Sequence, residues 1–272
     1  MNIQTNIKIM INIKNIAVKR GGKVIVKDVS FTIETGKISV LIGRNGAGKS
    51  TLLDAISGRY ADYSGAIRWD NLSLESMNLN DLANRRAVLS QQVNVAFPIS
   101  VWNLVEMGTY AVMENLSRKK IGQLVQYALE EVKMLSFAHR DFPTLSGGEQ
   151  KRVLLAKCIV QLYCSKLSNT PKYLFLDEPT ASLDIEQQYK LIDILKYLVK
   201  RHNIGVFAIL HDINLAAQFA DEILLMKSGT IRHIGTPKTV INTENLKDTF
   251  GIKTIIQPHP VFDCPHVMTL PN

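Results

Sequence analysis

Val40-Leu41-Ile42-Gly43-Arg44-Asn45-Gly46-Ala47-Gly48-Lys49-Ser50-Thr51 is the stretch whose reading decides the fold. The apolar, β-branched run from Ile38 to Ile42 reads as a buried strand, a Gly-rich turn follows, and Lys49-Ser50-Thr51-Leu52-Leu53 reads as the first turns of a helix. Gly43, Gly48, Lys49 and Ser50 satisfy G-x-x-x-x-G-K-[ST], the spacing of a phosphate-binding loop. Gly46 and Gly48 carry no Cβ, so the backbone can bend inward and turn its N–H groups toward an anion. The start of the helix adds a partial positive charge. In that setting Lys49 neutralises the β- and γ-phosphates and the Ser50 hydroxyl ligates Mg²⁺. A loop of this spacing between a strand and a helix predicts nucleotide binding.

Outward from the loop, the chain alternates strand and helix signals. Ile7 to Val18 alternates apolar and polar residues like an edge strand, and Gly21-Gly22 marks a hairpin turn. Val24 to Val26 and Val29 to Ile33 read as two further strands, so antiparallel strands precede the loop. Gly65 to Trp69 with Leu72 suggests another hairpin, Asp81 to Arg86 a short helix, and Ala87 to Ser90 a strand. From Val101 the pattern is helical for about fifty residues. Ser100 is placed to cap a helix from Val101 to Met113, and Ser117 one reaching Leu135. Gly148 to Gln161 reads as a third helix, and Lys166 to Pro171 as a polar loop. Tyr173 to Leu176 is a short buried strand ending in Asp177-Glu178; Asp184 caps a helix through Arg201; Val206 to Leu210 is a strand ending at His211. Asp212 to Ala220 is a helix, and Glu222 to Met226 pairs with Thr230 to Ile234 around Ser228-Gly229. The alternation predicts an α/β fold, a mostly parallel sheet with helices on its faces.

Composition narrows the class. A chain of 272 residues with 46% hydrophobic content has room for a large α/β core or a core with an inserted subdomain. No apolar run approaches the roughly 18 residues of a membrane span, so a soluble or peripheral chain is expected. Met1 to Lys14 lacks the continuous apolar core of a signal peptide. Cys158, Cys164 and Cys264 form no C-x-x-C and fit free thiols in a reducing compartment. The net charge of +8 favours an anionic partner without choosing among nucleotide, membrane surface and nucleic acid.

A second motif should accompany a phosphate loop: an acid at the end of an apolar strand. Leu174-Phe175-Leu176-Asp177-Glu178 supplies it, with Asp177 facing the metal and Glu178 where the attacking water sits. Here the sequence resembles the ATP-binding cassette (ABC) family. Leu145-Ser146-Gly147-Gly148-Glu149-Gln150 is similar to its signature sequence, Glu178 to Asp184 to its Walker B–D-loop segment, Gln91 to its Q-loop glutamine and His211 to its switch histidine. The resemblance implies a P-loop NTPase with a RecA-like core and antiparallel β subdomain over 1–92 and 151–242. It places a helical subdomain at 93–150 and a tail at 243–272. It also implies ATP held by residues 43–51, Mg²⁺ held by Ser50, Gln91 and Asp177, and hydrolysis by Glu178, His211 and Gln91. Ser146, Gly147 and Gly148, at a helix N-terminus, would close over the ATP of a second subunit in a head-to-tail homodimer, with Asp184 reporting between the sites.

One position departs from the family pattern. Where an aromatic usually stacks on adenine, this chain has Arg20, which either stacks through its guanidinium or is an ordinary exposed hairpin residue.

A lone cassette without membrane segment resembles an importer subunit docking on a separate permease dimer, fed by a periplasmic binding protein, at the cytoplasmic face of the inner membrane. Arg85 to Gln91, Ala96-Phe97-Pro98 with Val101, the insertion Cys164 to Thr170 and the tail Gly251 to Leu270 are similar to the haem-import subunits within the iron-siderophore, haem and cobalamin group. Val93, Val95, Phe97, Pro98 and Ile99 form an apolar patch suited to a permease or to the subdomain core. Cys264-Pro265-His266 with His259 is not favoured as a ligand set, and His139, His202 and His233 are expected at the surface. A nucleic-acid- or ribosome-associated cassette is suggested only by the basic balance, so no nucleic-acid partner is expected. A non-hydrolysing cassette is disfavoured by the intact Lys49, Glu178 and His211.

Overall fold

The computed structural model describes residues 10–91, 95, 97–110, 116–164 and 170–271. Its centre is a six-stranded sheet in the order β10-β9-β3-β8-β7-β6. The members are β3 (Ile38–Gly43), β6 (Arg86–Leu89), β7 (Tyr173–Asp177), β8 (Gly205–Ile209), β9 (Glu222–Lys227) and β10 (Thr230–Gly235). All neighbours pair parallel except the β9–β10 hairpin at one edge. β3, β7 and β8 are buried along their whole length, because both faces of the sheet are covered.

Alternate side chains feed two different cores. Val40, Ile42, Leu174, Leu176, Val206 and Ala208 face one cluster, while Leu41, Tyr173, Phe175, Phe207 and Ile209 face the other. The period of two along each strand makes this partition automatic. The first cluster is completed by α3 (Val101–Glu106), α4 (Arg118–Glu131), α5 (Gly147–Cys164) and α6 (Ile185–His202). The second is roofed by an antiparallel sheet in the order β2-β1-β4-β5, comprising β1 (Met10–Arg20), β2 (Lys23–Glu34), β4 (Tyr63–Trp69) and β5 (Leu72–Ser73). Helix α1 (Lys49–Ile56) lies within it, and Trp69 meets Tyr173 and Phe175 at ring separations of 5.3 and 5.8 Å.

Several sequence expectations need correction. β1 is an interior strand, paired on both sides by β2 and β4, because alternation marks which face is buried and not how many strands pair with it; residues 7–9 of that expectation lie outside the described residues. The two strands at 24–26 and 29–33 are one strand, β2, with Asp28 in a left-handed conformation (φ 46°) absorbing a register shift. The helix expected to run from Val101 to Met113 ends at Glu106 and tightens to a 3₁₀ turn at Met107–Thr109; residues 111–115 are outside the described set. The helix capped by Ser117 stops at Glu131, where Lys133 (φ 56°) breaks it before Leu135. α5 is an unbroken helix reaching Cys164, so the expected subdomain boundary at 150/151 falls inside its first turns.

The stretch expected to be a tail is folded. α8 (Pro237–Val240) and α9 (Thr243–Phe250) lead into a hairpin of β11 (Lys253–Pro258) and β12 (Pro265–Leu270). The Asn214 side chain of α7 (Ile213–Phe219) clamps β12 by accepting from Val267 N at 2.7 Å and donating to Val267 O at 3.0 Å. α2 (Leu79–Arg85), closed by a capping box between Asn78 and Asp81, matches the short helix read from the sequence.

Candidate functional site: a phosphate loop beside a bridged glutamate

The strand order builds the site. Ligand sites in open α/β sheets lie outside the carboxyl ends of the strands. β3, β8, β7 and β6 are consecutive neighbours, so the phosphate loop, His211, Glu178 and Gln91 emerge side by side from those ends. Glu178 therefore stands between His211 and Gln91. Its Oε1 lies 2.5 Å from His211 Nε2, and its Oε2 accepts from Gln91 Nε2 at 2.6 Å. Glu178 has φ 50°, uncommon for a residue with a side chain, and breaks the strand immediately after Asp177.

The phosphate loop is held from three sides. Gly48 (φ 102°) is left-handed, and a Cβ there would come 3.0 Å from the Ile25 carbonyl of β2. Gly43 has an ordinary φ but no space: a Cβ would come 2.3 Å from the Met226 carbonyl of β9. Gly229, at the turn between β9 and β10, donates to Ala47 O at 2.9 Å and fixes the back of the loop. Lys49, only 6% exposed, folds over the loop and donates to Gly43 O at 2.8 Å and Arg44 O at 3.1 Å. Burial holds its ammonium below the usual lysine value, while Glu178 and Asp177 pull it back up.

The metal assignment fits the donors present. Ser50 Oγ donates to Asp177 Oδ1 at 3.2 Å, so a hydroxyl and a carboxylate, the hard oxygen donors that Mg²⁺ takes, face each other. Asp177 is 9% exposed, and burial lifts its carboxyl above the usual carboxylate value; the Ser50 hydrogen bond opposes this and Glu178 adds to it. A cation beside it would relieve that desolvation.

The cleft of about 480 Å³ between these elements is lined by Ile25, Asn45, Gly46, Gly48, Lys49, Ser50, Thr51, Gln91, Glu178 and His211. Neither Arg20 nor Ser146, Gly147 or Gly148 lines it. The Arg20 guanidinium is engaged elsewhere, bonded to Asp54 Oδ2 at 2.7 Å and 4.8 Å over the Tyr60 ring, and Ile25 is the apolar neighbour of the loop instead. At the signature, Glu149 Oε2 accepts from Ser146 N at 2.8 Å and lies below its usual pKa through that bond, so Glu149 caps α5. The space about Gly147 is open, whereas Gln187 of α6 sits 2.9 Å from where a Gly148 Cβ would be. Asp184 caps α6 by accepting from Gln187 N at 2.8 Å.

Other expected positions scatter. Phe97 is 57% exposed while Val95 and Ile99 pack on the first core, so the apolar patch is divided; Val93 lies outside the described residues, as do 165–169 of the expected insertion. His139 is exposed, but His202 is half-buried, its ring 4.6 Å from that of Tyr163. In the C-terminal hairpin the rings of His259 and His266 lie 5.6 Å apart, and Cys264 is buried. Sequence reasoning missed Lys151, whose Nζ donates to Gln91 O at 2.7 Å. Its only local signal is its place one turn into the signature helix.

The family model described as ABC transporter matches residues 26–181, from β2 through the phosphate loop and the bridged glutamate. The chain belongs to the ABC transporter family. A family relative, the hemin import ATP-binding protein HmuV of Rhodopseudomonas palustris (strain BisB5), is 43% identical over 232 residues, covering 85% of this chain and 87% of that protein. The protein of the same name from Hahella chejuensis is 39% identical over 259 residues, covering 95% and 99%. Among solved ABC structures, a bacterial cassette in dimeric form superposes with a TM-score of 0.72 at 25% identity, over 83% of this chain and 98% of that one.

Proposed function

We propose that this chain is the ATP-hydrolysing subunit of a haem importer, working as a homodimer beneath an integral membrane permease dimer supplied by a periplasmic binding protein. The observation that carries hydrolysis is the Glu178 carboxylate, gripped by Gln91 and His211 at the mouth of the phosphate loop. The haem cargo is supported by the relatives' name and their coverage of nearly the whole chain. Among the described residues no helix is long and apolar enough to cross a membrane, which suits a subunit bound peripherally to the cytoplasmic face of the inner membrane.

The residues act as follows. Gly43, Arg44, Asn45, Gly46, Ala47, Gly48, Lys49, Ser50 and Thr51 wrap the ATP phosphates, with Lys49 leaving its loop carbonyls for the γ-phosphate oxygens. Ser50, Asp177 and Gln91 would hold Mg²⁺, which would supply charge neutralisation to the phosphates. Each Glu178 oxygen keeps a second lone pair beyond the one it gives to Gln91 or His211, so it can also accept from a water. That water attacks the γ-phosphorus, the bond to the bridging oxygen breaks, and Glu178 takes the proton, leaving ADP and phosphate. His211, beside both Glu178 and the cleft, stabilises the leaving phosphoryl charge. Ser146, Gly147 and Gly148, which do not line their own chain's cleft, close over the ATP of the partner subunit. Arg20 stays on Asp54 and Tyr60 and does not stack on the nucleotide.

The test is a transporter purified from native membranes through a tag on this chain and reconstituted in proteoliposomes. Haem presented on the periplasmic side should raise ATP turnover, while cobalamin and ferric siderophores should not. Stimulation by either of those alone would overturn the cargo, and turnover unaffected by Glu178→Gln would overturn the catalytic assignment.

A further inference from the structure

We propose that Lys151 is a positioning residue, the link through which the signature helix sets Gln91 against Glu178. The inference rests on the ATP-hydrolysis reading above. α5 is bonded to one segment at both ends: Gln161 donates to Arg86 O at 2.9 Å where β6 begins, and Lys151 donates to Gln91 O at 2.7 Å just past its end. The lengths match. The ten residues from Lys151 to Gln161 rise about 15 Å along a helix axis, and the five from Arg86 to Gln91 extend about 16 Å as strand. A rigid rod therefore lies along β6 and fixes where the residue after it stops.

Among the described residues, the Gln91 side chain is anchored by its Glu178 bond and its carbonyl by Lys151. Losing the second contact frees the backbone that aims the first. Lys151 also stands four residues from Gly147 and three from Gly148, on the face of α5 that carries the signature glycines. An anion docking at those glycines thus presses on the same helical turn that holds Gln91. Lys151 does not line the cleft, and its hydrogen bond goes to the backbone of Gln91, which does, so its effect passes through Gln91.

The experiment measures steady-state ATP hydrolysis by the reconstituted transporter carrying Lys151→Met, Lys151→Arg or Lys49→Ala, with thermal unfolding of each subunit. Misplacing a group that orients the reaction by about an ångström can cost up to 10²-fold. Lys151→Met should therefore lower kcat roughly tenfold, leave KM for ATP within about twofold and keep the wild-type unfolding midpoint; Lys151→Arg should restore most of the rate. Wild-type kcat in Lys151→Met overturns the proposal. So does a loss carried by KM alone, which means direct nucleotide contact, or an equal loss in Met and Arg variants with a lowered midpoint, which means packing only. If wild type and Lys49→Ala hydrolyse ATP equally, the ATPase reading itself has failed, a result separable from any failure of Lys151.

Discussion

Gly43→Ala isolates the close approach of two strands that positions the phosphate loop. The added Cβ would sit 2.3 Å from the Met226 carbonyl oxygen and 3.3 Å from Met226 Cβ. An ordinary contact is about 3.5 Å, so the ends of β3 and β9 must part by about 1 Å. Gly43 and Met226 are the last pair of that ladder. Opening it weakens about two backbone hydrogen bonds in a buried setting, at about 1–1.5 kcal/mol each, for a total of about 2–3 kcal/mol. For a domain of this size each kcal/mol lowers the unfolding midpoint by about 2–4 °C, so a fall of roughly 4–12 °C is expected in differential scanning fluorimetry. Gly43 O is also the 2.8 Å acceptor of Lys49, so ATP affinity should fall with the midpoint. Gly147→Ala is the internal control, because nothing lies within 4 Å of its added Cβ and its φ is ordinary; its midpoint should match wild type. A Gly43→Ala midpoint within a degree of wild type would refute the argument, since β3 and β9 would then have slack that the packing denies.

Three further outcomes follow from the same geometry. Glu178→Gln keeps the shape that Gln91 and His211 grip but loses the base, so single-turnover hydrolysis should fall by about 10²–10⁴ while ATP still raises the unfolding midpoint. Phe175→Ala, at a fully buried site against Trp69 and Phe207, should cost about 3–5 kcal/mol in urea unfolding without changing KM for ATP. Burial lowers the Lys172 ammonium to about 8, below its unfolded value of 10.5. The unfolded chain therefore holds more protons between those values, and this residue's contribution to stability rises with pH from about 8 to 10.5. Wild type minus Lys172→Met should show that rise in unfolding free energy across the window; a flat or falling difference would contradict the assigned cause.

What the sequence revealed was whatever short spacing governs. The loop from Gly43 to Ser50, the acid pair after β7 and the helix caps at Ser100, Ser117 and Asp184 are each decided within a few residues, and each stands where it was read. β1 looked like an edge because alternation reports which faces are wet, not how many neighbours a strand has. Val24 to Val26 and Val29 to Ile33 read as two strands, yet a left-handed Asp28 lets β2 continue through both. The C-terminal hairpin was illegible because its packing depends on Asn214, far away in the chain.

The site was legible as a set of residues but not as a constellation. Periodicity cannot show that β8 and β7 are neighbours, and that order is what lets His211 and Gln91 both reach Glu178. Arg20 occupied the right place in the pattern, but Asp54 on α1 offers it a carboxylate at 2.7 Å, a stronger partner than a ring. Lys151 escaped notice because its partner is a backbone carbonyl on another strand, which leaves no trace in residue type.

The central claim is that each phosphate loop is completed by the signature helix of a second subunit. It is tested most directly by sedimentation of the Glu178→Gln subunit, with and without Mg-ATP, beside the same protein also carrying Ser146→Arg. The account predicts an ATP-dependent dimer for the first, and for the second a monomer whose unfolding midpoint ATP still raises. A Ser146→Arg protein that dimerises with ATP as readily, or a Glu178→Gln subunit that stays monomeric when saturated with ATP, would contradict it.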